Sequence, residues 1–210
     1  HIGSRAADRE EIDTTDNAET FIVRHLDGDA TTESVEVQWG DYRQTFENVS
    51  MVIAEDAGNG DDFVDTTGVL VPVDLNGGVG NDTLYLSGGA GSTAGGDEGN
   101  DLILASPKES ATGVTLNGGD GNDTLTAGIK AITINGGKGN DIITGTDEDD
   151  TLNGDAGKDT IAGFDGNDII DGGDDADTID AGPGNDIVTG GPGSDTLIGG
   201  RGSDYLDGEE

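Results

Sequence analysis

A repeat of nine residues fills the C-terminal part of the chain and limits the folds that the chain can adopt. Cut every nine residues from Gly136, the sequence gives eight consecutive segments, among them GGKGNDIIT, GFDGNDIID and GGRGSDYLD. The eighth position is aliphatic in all eight segments, from Ile143 to Leu206, and the sixth is always aspartate. Those aspartates are Asp141, Asp150, Asp159, Asp168, Asp177, Asp186, Asp195 and Asp204. A fixed period of this kind predicts a stack of similar structural units.

The same pattern continues upstream with small slips in spacing. Residues 118–126, 77–85 and 57–65 are GGDGNDTLT, GGVGNDTLY and AGNGDDFVD, and residues 96–104 are GDEGNDLIL. These segments add Asp62, Asp82, Asp101 and Asp123 at the sixth position. Four extra residues, 105–108, interrupt the spacing, and we expect them to form a surface loop that bulges from one turn.

Composition alone would favour a disordered chain. Of 210 residues, 45 are acidic and 9 are basic, which gives a formal charge of −36, and only 31% are hydrophobic. Such a chain buries little apolar surface to offset the entropy lost on folding. The charge also excludes nucleic acid as a partner, since no basic surface neutralises phosphates. The absence of cysteine excludes disulfides and thiolate sites, and no apolar run of about 18 residues predicts a transmembrane segment.

These segments resemble the repeats-in-toxin (RTX) nonapeptide of hemolysin-type calcium-binding proteins, G-G-x-G-x-D-x-U-x with U aliphatic. The resemblance covers residues 57–207 and depends on many copies in register. It implies an all-β fold, a right-handed parallel β-roll, with Ca²⁺ as the cofactor. In such a roll the first six residues of each segment form a calcium-binding turn and the last three form a short strand. Two segments then complete one coil of a β-solenoid with about 18 residues per coil.

The residue types suit calcium, a hard cation that takes six to eight oxygen ligands from carboxylates and backbone carbonyls. A turn whose carbonyls face one ion visits backbone conformations that a side chain disfavours, which explains glycine at the first, second and fourth positions. Asparagine at the fifth position also tolerates a left-handed backbone. The aspartate supplies negative charge, and the aliphatic residue two places later points inward.

With two segments per coil, alternate aspartates stack on opposite edges of the roll. One edge carries Asp62, Asp82, Asp101, Asp123, Asp141, Asp159, Asp177 and Asp195, and the other carries Asp150, Asp168, Asp186 and Asp204. Earlier sixth positions on the second edge hold Val73, Val114 and Ile132, which alternate with further aliphatic residues as in a half-buried strand. A site forms between neighbouring loops of one edge, so seven sites on the first edge and three on the second give about ten ions.

The resemblance also implies a ligand set for each ion. One loop supplies the carbonyls of positions two and four with its aspartate, and the next loop supplies the carbonyls of positions one and three with its own aspartate. For one pair of loops the ligands are Gly137, Gly139 and Asp141 facing Gly154, Ala156 and Asp159. The same rule gives Gly119, Gly121, Gly136, Lys138, Gly163, Asp165, Gly166, Gly172, Asp174, Gly182, Gly184, Gly190, Pro192, Gly199 and Arg201. Glu148 and Asp175 replace the fourth-position glycine, so we expect their turns to be distorted or to gain a carboxylate ligand.

Metal binding and folding should be one linked event. Eight carboxylates stacked along one edge repel one another, and without ions nothing offsets the cost of ordering glycine-rich turns. Ten divalent ions would change the charge from −36 to about −16. We therefore expect a chain that is disordered without calcium and folds on binding it. The alternative for an acidic repeat is a solvated tail that stays disordered.

Outside the repeats, residues 5–56 predict a short antiparallel β element that caps the first coil. Residues 20–25, 34–39 and 50–54 are rich in β-branched and aromatic residues, with turn-like LDGDA and WGD between them. A separate binding domain is the alternative for this segment. Residues 1–4 are expected to be a remnant of expression cloning. Residues 208–210 begin a further repeat, so we expect the chain to be part of a longer multidomain protein.

The sequence contains no catalytic motif. It lacks H-E-x-x-H and G-x-S-x-G, and its two histidines are His1 and His25. We therefore expect no enzymatic activity but a monomeric calcium-binding module of a secreted or surface-exposed bacterial protein, for which the resemblance implies type I export. One alternative is a calcium-stabilised adhesin segment that binds a glycan or another surface, and another is the non-catalytic part of a secreted hydrolase or epimerase. Outward threonines at the seventh position would support recognition, but Ile142, Ile169 and Ile187 interrupt them.

Overall fold

The computed structural model describes residues 18–28, 33–54, 57–106, 112–128 and 130–209, which form 23 β-strands and no helix. Strands β1 to β8 are Thr20–Gly28, Glu33–Trp39, Tyr42–Val49, Val52–Ala54, Gly58–Asn59, Phe63–Asp65, Val73–Val79 and Thr83–Leu86. Strands β9 to β16 are Thr93–Glu98, Leu102–Ala105, Val114–Asp120, Thr124–Thr126, Ile132–Lys138, Ile142–Thr144, Thr151–Ala156 and Thr160–Ala162. Strands β17 to β23 are Ile169–Asp171, Thr178–Asp180, Pro183–Gly184, Ile187–Thr189, Thr196–Ile198, Arg201–Gly202 and Tyr205–Asp207. The presumed cloning remnant, residues 1–4, lies outside the described residues.

Most of these strands form two long sheets. In hydrogen-bonded order the first sheet is β21-β18-β16-β14-β12-β10-β8-β6-β1-β2-β3, and the second is β23-β20-β17-β15-β13-β11-β9-β7-β4. The chain alternates between the sheets, and successive repeat strands in each sheet are parallel. Asp141 and Asp159 occupy equivalent places 18 residues apart, whereas the first coils take 19, 20 or 22 residues. The predicted parallel β-solenoid is therefore confirmed.

The eighth-position side chains form the core between the two sheets. Alternation along each short strand directs the central residue inward and its two neighbours outward, as in β14. The buried residues are Val64, Leu84, Ile103, Leu125, Ile143, Ile161 and Ile179 from the first sheet, and Leu75, Ala94, Leu116, Ile134, Leu152, Ile170 and Val188 from the second. The half-buried strands predicted around Val73, Val114 and Ile132 are also confirmed, since all three side chains are buried. Leu206 is 44% exposed, because β23 has a neighbouring strand on one side only.

The N-terminal strands extend the first sheet beyond the repeats. β1 pairs with β2 and β2 with β3 in antiparallel fashion, whereas β1 lies parallel to β6 of the first coil. Val23, Val35 and Val37 belong to the same buried cluster as the coil residues. The three strands predicted in this region are present, with bounds that differ by a few residues, but only β1 and β2 pair in the antiparallel way that was expected. The third, β4, pairs in parallel with β7 at the end of the second sheet. β3 was not predicted, because YRQTFENV is mostly polar and lies at an exposed edge where no alternation is required.

One prediction about the insertion is wrong. The bulging loop was expected to begin at Ala105, but Ala105 is the last residue of β10 and is 2% exposed. Its side chain packs in the core cluster, so β10 continues one residue beyond the length of the repeat strands in later coils. Ser106 follows as an exposed residue, and residues 107–111 lie outside the described part of the chain.

Candidate metal centre

The sixth-position aspartates form two ladders, one on each side of the solenoid. Loops that lead from the second sheet to the first carry the eight aspartates from Asp62 to Asp195, here called the first ladder. Each Oδ1 in this ladder accepts a hydrogen bond from the backbone N–H of the preceding aspartate, over 2.7 to 2.9 Å. Loops that lead back carry Asp150, Asp168, Asp186 and Asp204, the second ladder, with the same bonds over 2.9 to 3.2 Å. The structure thus places the members of each predicted set next to one another, one set on each side of the solenoid.

The first ladder continues into the N-terminal strands. The Glu19 N–H, just before β1, donates to Asp62 Oδ1 over 2.6 Å, in the role that the preceding aspartate plays elsewhere. Sequence reasoning missed Glu19, because it lies outside the repeat and no motif marks it. This bond connects the N-terminal strands to the first repeat loop.

The second carboxylate oxygen of most ladder residues is buried without a hydrogen-bond partner in the described structure. These oxygens are the Oδ2 atoms of Asp101, Asp123, Asp141, Asp159, Asp168, Asp177, Asp186 and Asp195. A buried, ionised oxygen without a partner is costly, so a row of them indicates a ligand that the protein itself does not supply. A cation is the ligand that carboxylate oxygens attract.

Backbone carbonyls converge on the same places as these oxygens. A methyl group at Gly136 would lie 2.5 Å from Asp141 Oδ2 and 2.7 Å from the Gly154 carbonyl oxygen. At Gly172 the corresponding distances are 2.5 Å to Asp177 Oδ2 and 2.7 Å to the Gly190 carbonyl oxygen. The first-position glycine therefore leaves open a small cradle lined by a carboxylate of its own loop and a carbonyl of the next loop.

This cradle corrects the reason given for glycine at the first position. Gly136 and Gly172 do not have a positive φ, so the Cβ is excluded by space and not by backbone conformation. The second-position glycines do have a positive φ, such as 106° at Gly137, and so do the fourth-position glycines other than Gly184 and Gly193, such as 127° at Gly139. Asp175, at a fourth position, adopts a φ of 77°. The turn therefore keeps its shape, and the backbone of the aspartate is strained.

The fourth-position carbonyls point along the ladder toward the next loop, as the expected ligand set requires. A methyl group at Gly139 would collide with the Gly121 carbonyl oxygen, and one at Gly157 with the Gly139 carbonyl oxygen. Third-position carbonyls, in contrast, accept hydrogen bonds from the loop before: Gly121 N–H donates to Lys138 O and Gly139 N–H to Ala156 O, both over 2.7 Å. One of the two lone pairs on each of these carbonyls is already used.

Asparagine at the fifth position has a different role from the one expected. None of the described fifth-position asparagines has a positive φ. Instead the side chain accepts a hydrogen bond from the fifth-position N–H of the next loop, as from Asn122 N–H to Asn100 Oδ1 over 2.7 Å and from Asn140 N–H to Asn122 Oδ1 over 2.7 Å. Sequence spacing contained this signal, because asparagines 18 residues apart stack on one edge.

The loop before Asp150 departs from the others. Asp150 Oδ2 accepts hydrogen bonds from the Thr146 N–H over 2.6 Å and from Thr146 Oγ1 over 3.0 Å, so this oxygen already has partners. The Glu148 carboxylate, which was considered as an extra ligand, is exposed and lies 3.5 Å from Lys130 Nζ. Thr146 at the second position therefore supplies hydrogen bonds that the glycine-containing loops lack.

The ladder carboxyls resist ionisation when no cation is present. Burial, together with repulsion from neighbouring carboxylates, raises the pKa of Asp101, Asp159 and Asp168 to about 7 and that of Asp141 to about 6. Burial raises the pKa of Asp123, Asp150, Asp177 and Asp186 as well. The hydrogen bond from the preceding loop acts in the opposite direction but does not cancel burial. Stacking these groups as anions therefore requires positive charge between them.

The donor atoms identify the kind of cation. No three His, Cys, Asp or Glu side chains of the described residues converge on one point, so a metal here depends on backbone carbonyls for much of its coordination. Carbonyl and carboxylate oxygens in a flexible loop suit Ca²⁺. A family model for the RTX calcium-binding nonapeptide repeat (4 copies) matches residues 74–92, 114–129, 133–161, 144–179, 162–197 and 180–210, more than half of the chain.

The chain belongs to this RTX family. Its RTX repeats are calcium-binding repeats in a β-roll, and the matched residues include the whole second aspartate ladder and the first ladder except Asp62 and Asp101. The matched residues extend to the end of the chain and include every loop of the second ladder. A comparison with curated proteins finds no match. In the described residues of this RTX protein, no helix is long and apolar enough to span a membrane.

Proposed function

We propose that this RTX chain is a calcium-dependent folding module that is disordered without the ion and folds on binding about ten Ca²⁺. The observation that carries the proposal is the row of buried Oδ2 atoms without hydrogen-bond partners. The Oδ2 atoms of Asp101, Asp123, Asp141, Asp159, Asp168 and Asp177 each lie next to a first-position cradle, and burial raises the pKa of each of these carboxyls. Calcium between successive loops would satisfy these oxygens and neutralise the ladders together.

The expected number of ions follows from the loops. A carboxylate Oδ2 and a carbonyl of the following loop converge at Gly77, Gly96, Gly118, Gly136, Gly154 and Gly172 along the first ladder, and at Gly145 and Gly163 along the second. Alanine occupies the first position at Ala57 and Ala181, and counting these two loops gives ten places. Ten ions would reduce the formal charge from −36 to about −16.

The second edge closes without repeat aspartates in the first coils. Thr66 Oγ1 donates to the Tyr85 carbonyl over 2.9 Å, and Ser92 Oγ donates to the Gly89 carbonyl over 2.7 Å while accepting from the Val73 N–H over 3.0 Å. The buried carboxylate of Glu33, from β2, accepts the Leu70 N–H over 3.1 Å. Hydrogen bonds within the protein therefore close these loops, which supports a second row of sites that begins only at Asp150.

The setting and role of the module are part of the same proposal. Extracellular calcium modules bind the ion in the range of about 10⁻⁴ to 10⁻³ M, which suits a chain exported unfolded by type I secretion that folds outside the cell. Catalytic metal sites keep an open coordination position, whereas these loops enclose the ion from both sides. We therefore propose a structural, non-catalytic role in a secreted or surface protein.

A calcium titration tests the proposal. Isothermal calorimetry should give about ten ions per chain, and far-ultraviolet circular dichroism should show strand formation with calcium and its loss with EDTA. Mg²⁺ is the matched control, because its strict octahedral geometry and tightly held waters suit these carbonyl-rich loops poorly. A stoichiometry of one or two ions, or a strand spectrum that persists in EDTA at pH 8, contradicts the proposal.

A further inference from the structure

The outer surface of the second sheet carries two uncharged columns of side chains. The seventh positions of β11, β13 and β15 give Thr115, Thr133 and Thr151, and the ninth positions give Asn117, Asn135 and Asn153. These six residues are here called the threonine–asparagine face. Neighbouring strands pair in constant register, so the six side chains form a flat array with rungs about 4.8 Å apart and columns about 6.6 Å apart.

Hydrogen bonds between the strands hold the asparagine side chains in one orientation. Asn135 Nδ2 donates to Asn117 Oδ1 and Asn153 Nδ2 donates to Asn135 Oδ1, each over 2.7 Å. Each bond uses one amide N–H, which leaves the other N–H and oxygen lone pairs for a partner. The threonine hydroxyls make no hydrogen bond to any described residue. A ligand would therefore meet ordered donors and acceptors, at a low entropy cost for the protein.

The absence of charge distinguishes this surface from the rest of the chain. From Thr93 to Asn153 neither column contains an ionisable side chain, in a protein with a formal charge of −36. Asp74 and Asp171 flank the two ends. Beside the asparagine column, Asp97 and Asp155 lie in register with Gly119 and Gly137, and the nearby Asp120 pairs with Lys138 Nζ over 2.7 Å. The remaining negative charge repels an anionic polymer, and a cationic polymer would find stronger partners at the acidic loops. The face therefore suits a neutral partner.

We propose that the threonine–asparagine face binds a neutral polysaccharide that lies along the solenoid axis. Identical hydroxyl and amide groups recur at every coil, and a polymer with a repeating set of hydroxyls can engage several coils at once. The first sheet also has three contiguous threonines beyond Ile142, namely Thr160, Thr178 and Thr196, but it lacks the asparagine column. Its ninth positions there are Ala162, Asp180 and Ile198, of which one is charged. The Ile169 and Ile187 that interrupted the threonines in sequence lie beyond Thr151 in the second sheet and leave the three threonines contiguous.

This inference depends on the proposed function, since the face exists only in the calcium-folded chain. The test is native affinity electrophoresis of the whole chain, in millimolar calcium, through gels that contain hydroxyethylcellulose, galactomannan or dextran. Carboxymethylcellulose serves as the anionic comparison. The test variant combines Asn117→Ala, Asn135→Ala and Asn153→Ala, and the matched control combines Thr124→Ala, Thr126→Ala and Thr144→Ala on the first sheet. Circular dichroism and calcium stoichiometry of each variant establish that folding is intact.

The proposal expects retardation by at least one neutral polymer and a loss of affinity of about tenfold or more in the asparagine variant, because three hydrogen bonds are removed. The control variant should bind like the wild type. Absence of retardation by all three neutral polymers, equal loss in the control, or retardation by carboxymethylcellulose alone overturns it. Thermal hysteresis of ice growth that disappears in the asparagine variant would also overturn it, by assigning the face to ice. Failure of the strand spectrum to depend on calcium would instead refute the proposed function.

Discussion

Replacing one ladder aspartate by asparagine should have opposite effects on stability with and without calcium. Asp159 Oδ1 accepts the Asp141 N–H over 2.8 Å, and an asparagine carbonyl can keep that bond. Asp159 Oδ2 lies in the cradle with the Gly172 carbonyl oxygen. The amide of Asp159→Asn places an N–H there, which can donate to the Gly172 carbonyl but cannot bind a cation. The substitution thus removes a metal ligand and, in the metal-free chain, removes a buried oxygen without a partner.

The effect with calcium is the larger of the two. Raising the pKa of Asp159 to about 7 corresponds to ~4 kcal/mol against the ionised form, which we halve to ~2 kcal/mol because water at the surface loop screens the charge. At pH 8 without calcium, Asp159→Asn should recover about this amount. With calcium, Asp159 borders two of the proposed sites, and each site contributes about 2.7 kcal/mol at a hundredfold excess over Kd. Loss of both sites would cost ~5 kcal/mol.

Two unfolding measurements check that the effect of Asp159→Asn on stability has opposite signs with and without calcium. In excess calcium, the urea midpoint of Asp159→Asn should fall relative to wild type, and calorimetry should count one or two fewer ions. In EDTA at pH 8, the variant should recover its strand signal at a lower concentration of trimethylamine N-oxide, which favours compact states. Asp180→Asn is the matched control, because this substitution makes the same change in charge at a residue that is exposed on the outer side of β18. A variant that is destabilised under both conditions, or a control with the same effects, would refute the reasoning.

Three further predictions concern the cradles and their protons. Gly136→Ala should weaken one site, seen as a higher calcium midpoint, because its methyl group would lie 2.5 Å from Asp141 Oδ2, whereas Gly95→Ala, where the nearest contact is at 4.0 Å, should keep the wild-type midpoint; equal midpoints would argue against the cradle. Ala181→Gly should strengthen one second-ladder site, seen as a lower calcium midpoint, since Ala181 stands where other loops have glycine; a higher midpoint would contradict this. Finally, carboxyls with a raised pKa stabilise the metal-free fold only when protonated, and this stability is lost as the pH rises through about 7. In EDTA the strand signal should therefore increase from pH 8 to pH 5, while calcium affinity falls because protons compete for the same oxygens; a pH-independent affinity would exclude this competition.

The fold was largely predictable because the signal in the sequence has the same period as the structure. An aliphatic residue at every eighth position of a nonapeptide requires one inward residue per strand, as Ile143 and Ile161 show. Outside the repeat no such period exists, and the prediction weakened accordingly. β3 was missed because an exposed edge strand needs no apolar alternation. Ala105 was assigned to a loop because the spacing marks where an insertion occurs but does not show which residues the adjacent strand retains.

The positions of the ladder aspartates were predictable from the sequence, whereas the roles of the other loop residues were less so. Aspartate spacing alone separated the two ladders correctly. The first-position glycine Gly136 leaves room for the cradle, and the fifth-position Asn122 accepts a backbone hydrogen bond. Neither role follows from the backbone conformations that glycine and asparagine favour. Thr146 illustrates a third limit, because its bonds to Asp150 form between residues four apart within one loop and depend on the exact turn. Such local compensation becomes visible only when the loop coordinates are known.

The direction of the loop hydrogen bonds explains why the repeats should order as a unit. In the aspartate ladders, the sixth-position N–H of each loop donates to the aspartate side chain of the next loop. The fifth-position side chains form a second kind of row, here called an asparagine ladder, in which the side chain of each loop accepts the fifth-position N–H of the next loop. Each loop therefore holds its neighbour from both sides, and ordering one presents matched partners to the next, as in a nearest-neighbour solenoid. On the first edge the asparagine ladder ends where Lys158 N–H donates to Asn140 Oδ1. A second such ladder runs from Asp149 to Ser203 on the other edge. The fifth-position hydrogen bonds between loops therefore move from the first edge to the second in the same coils where the second aspartate ladder begins.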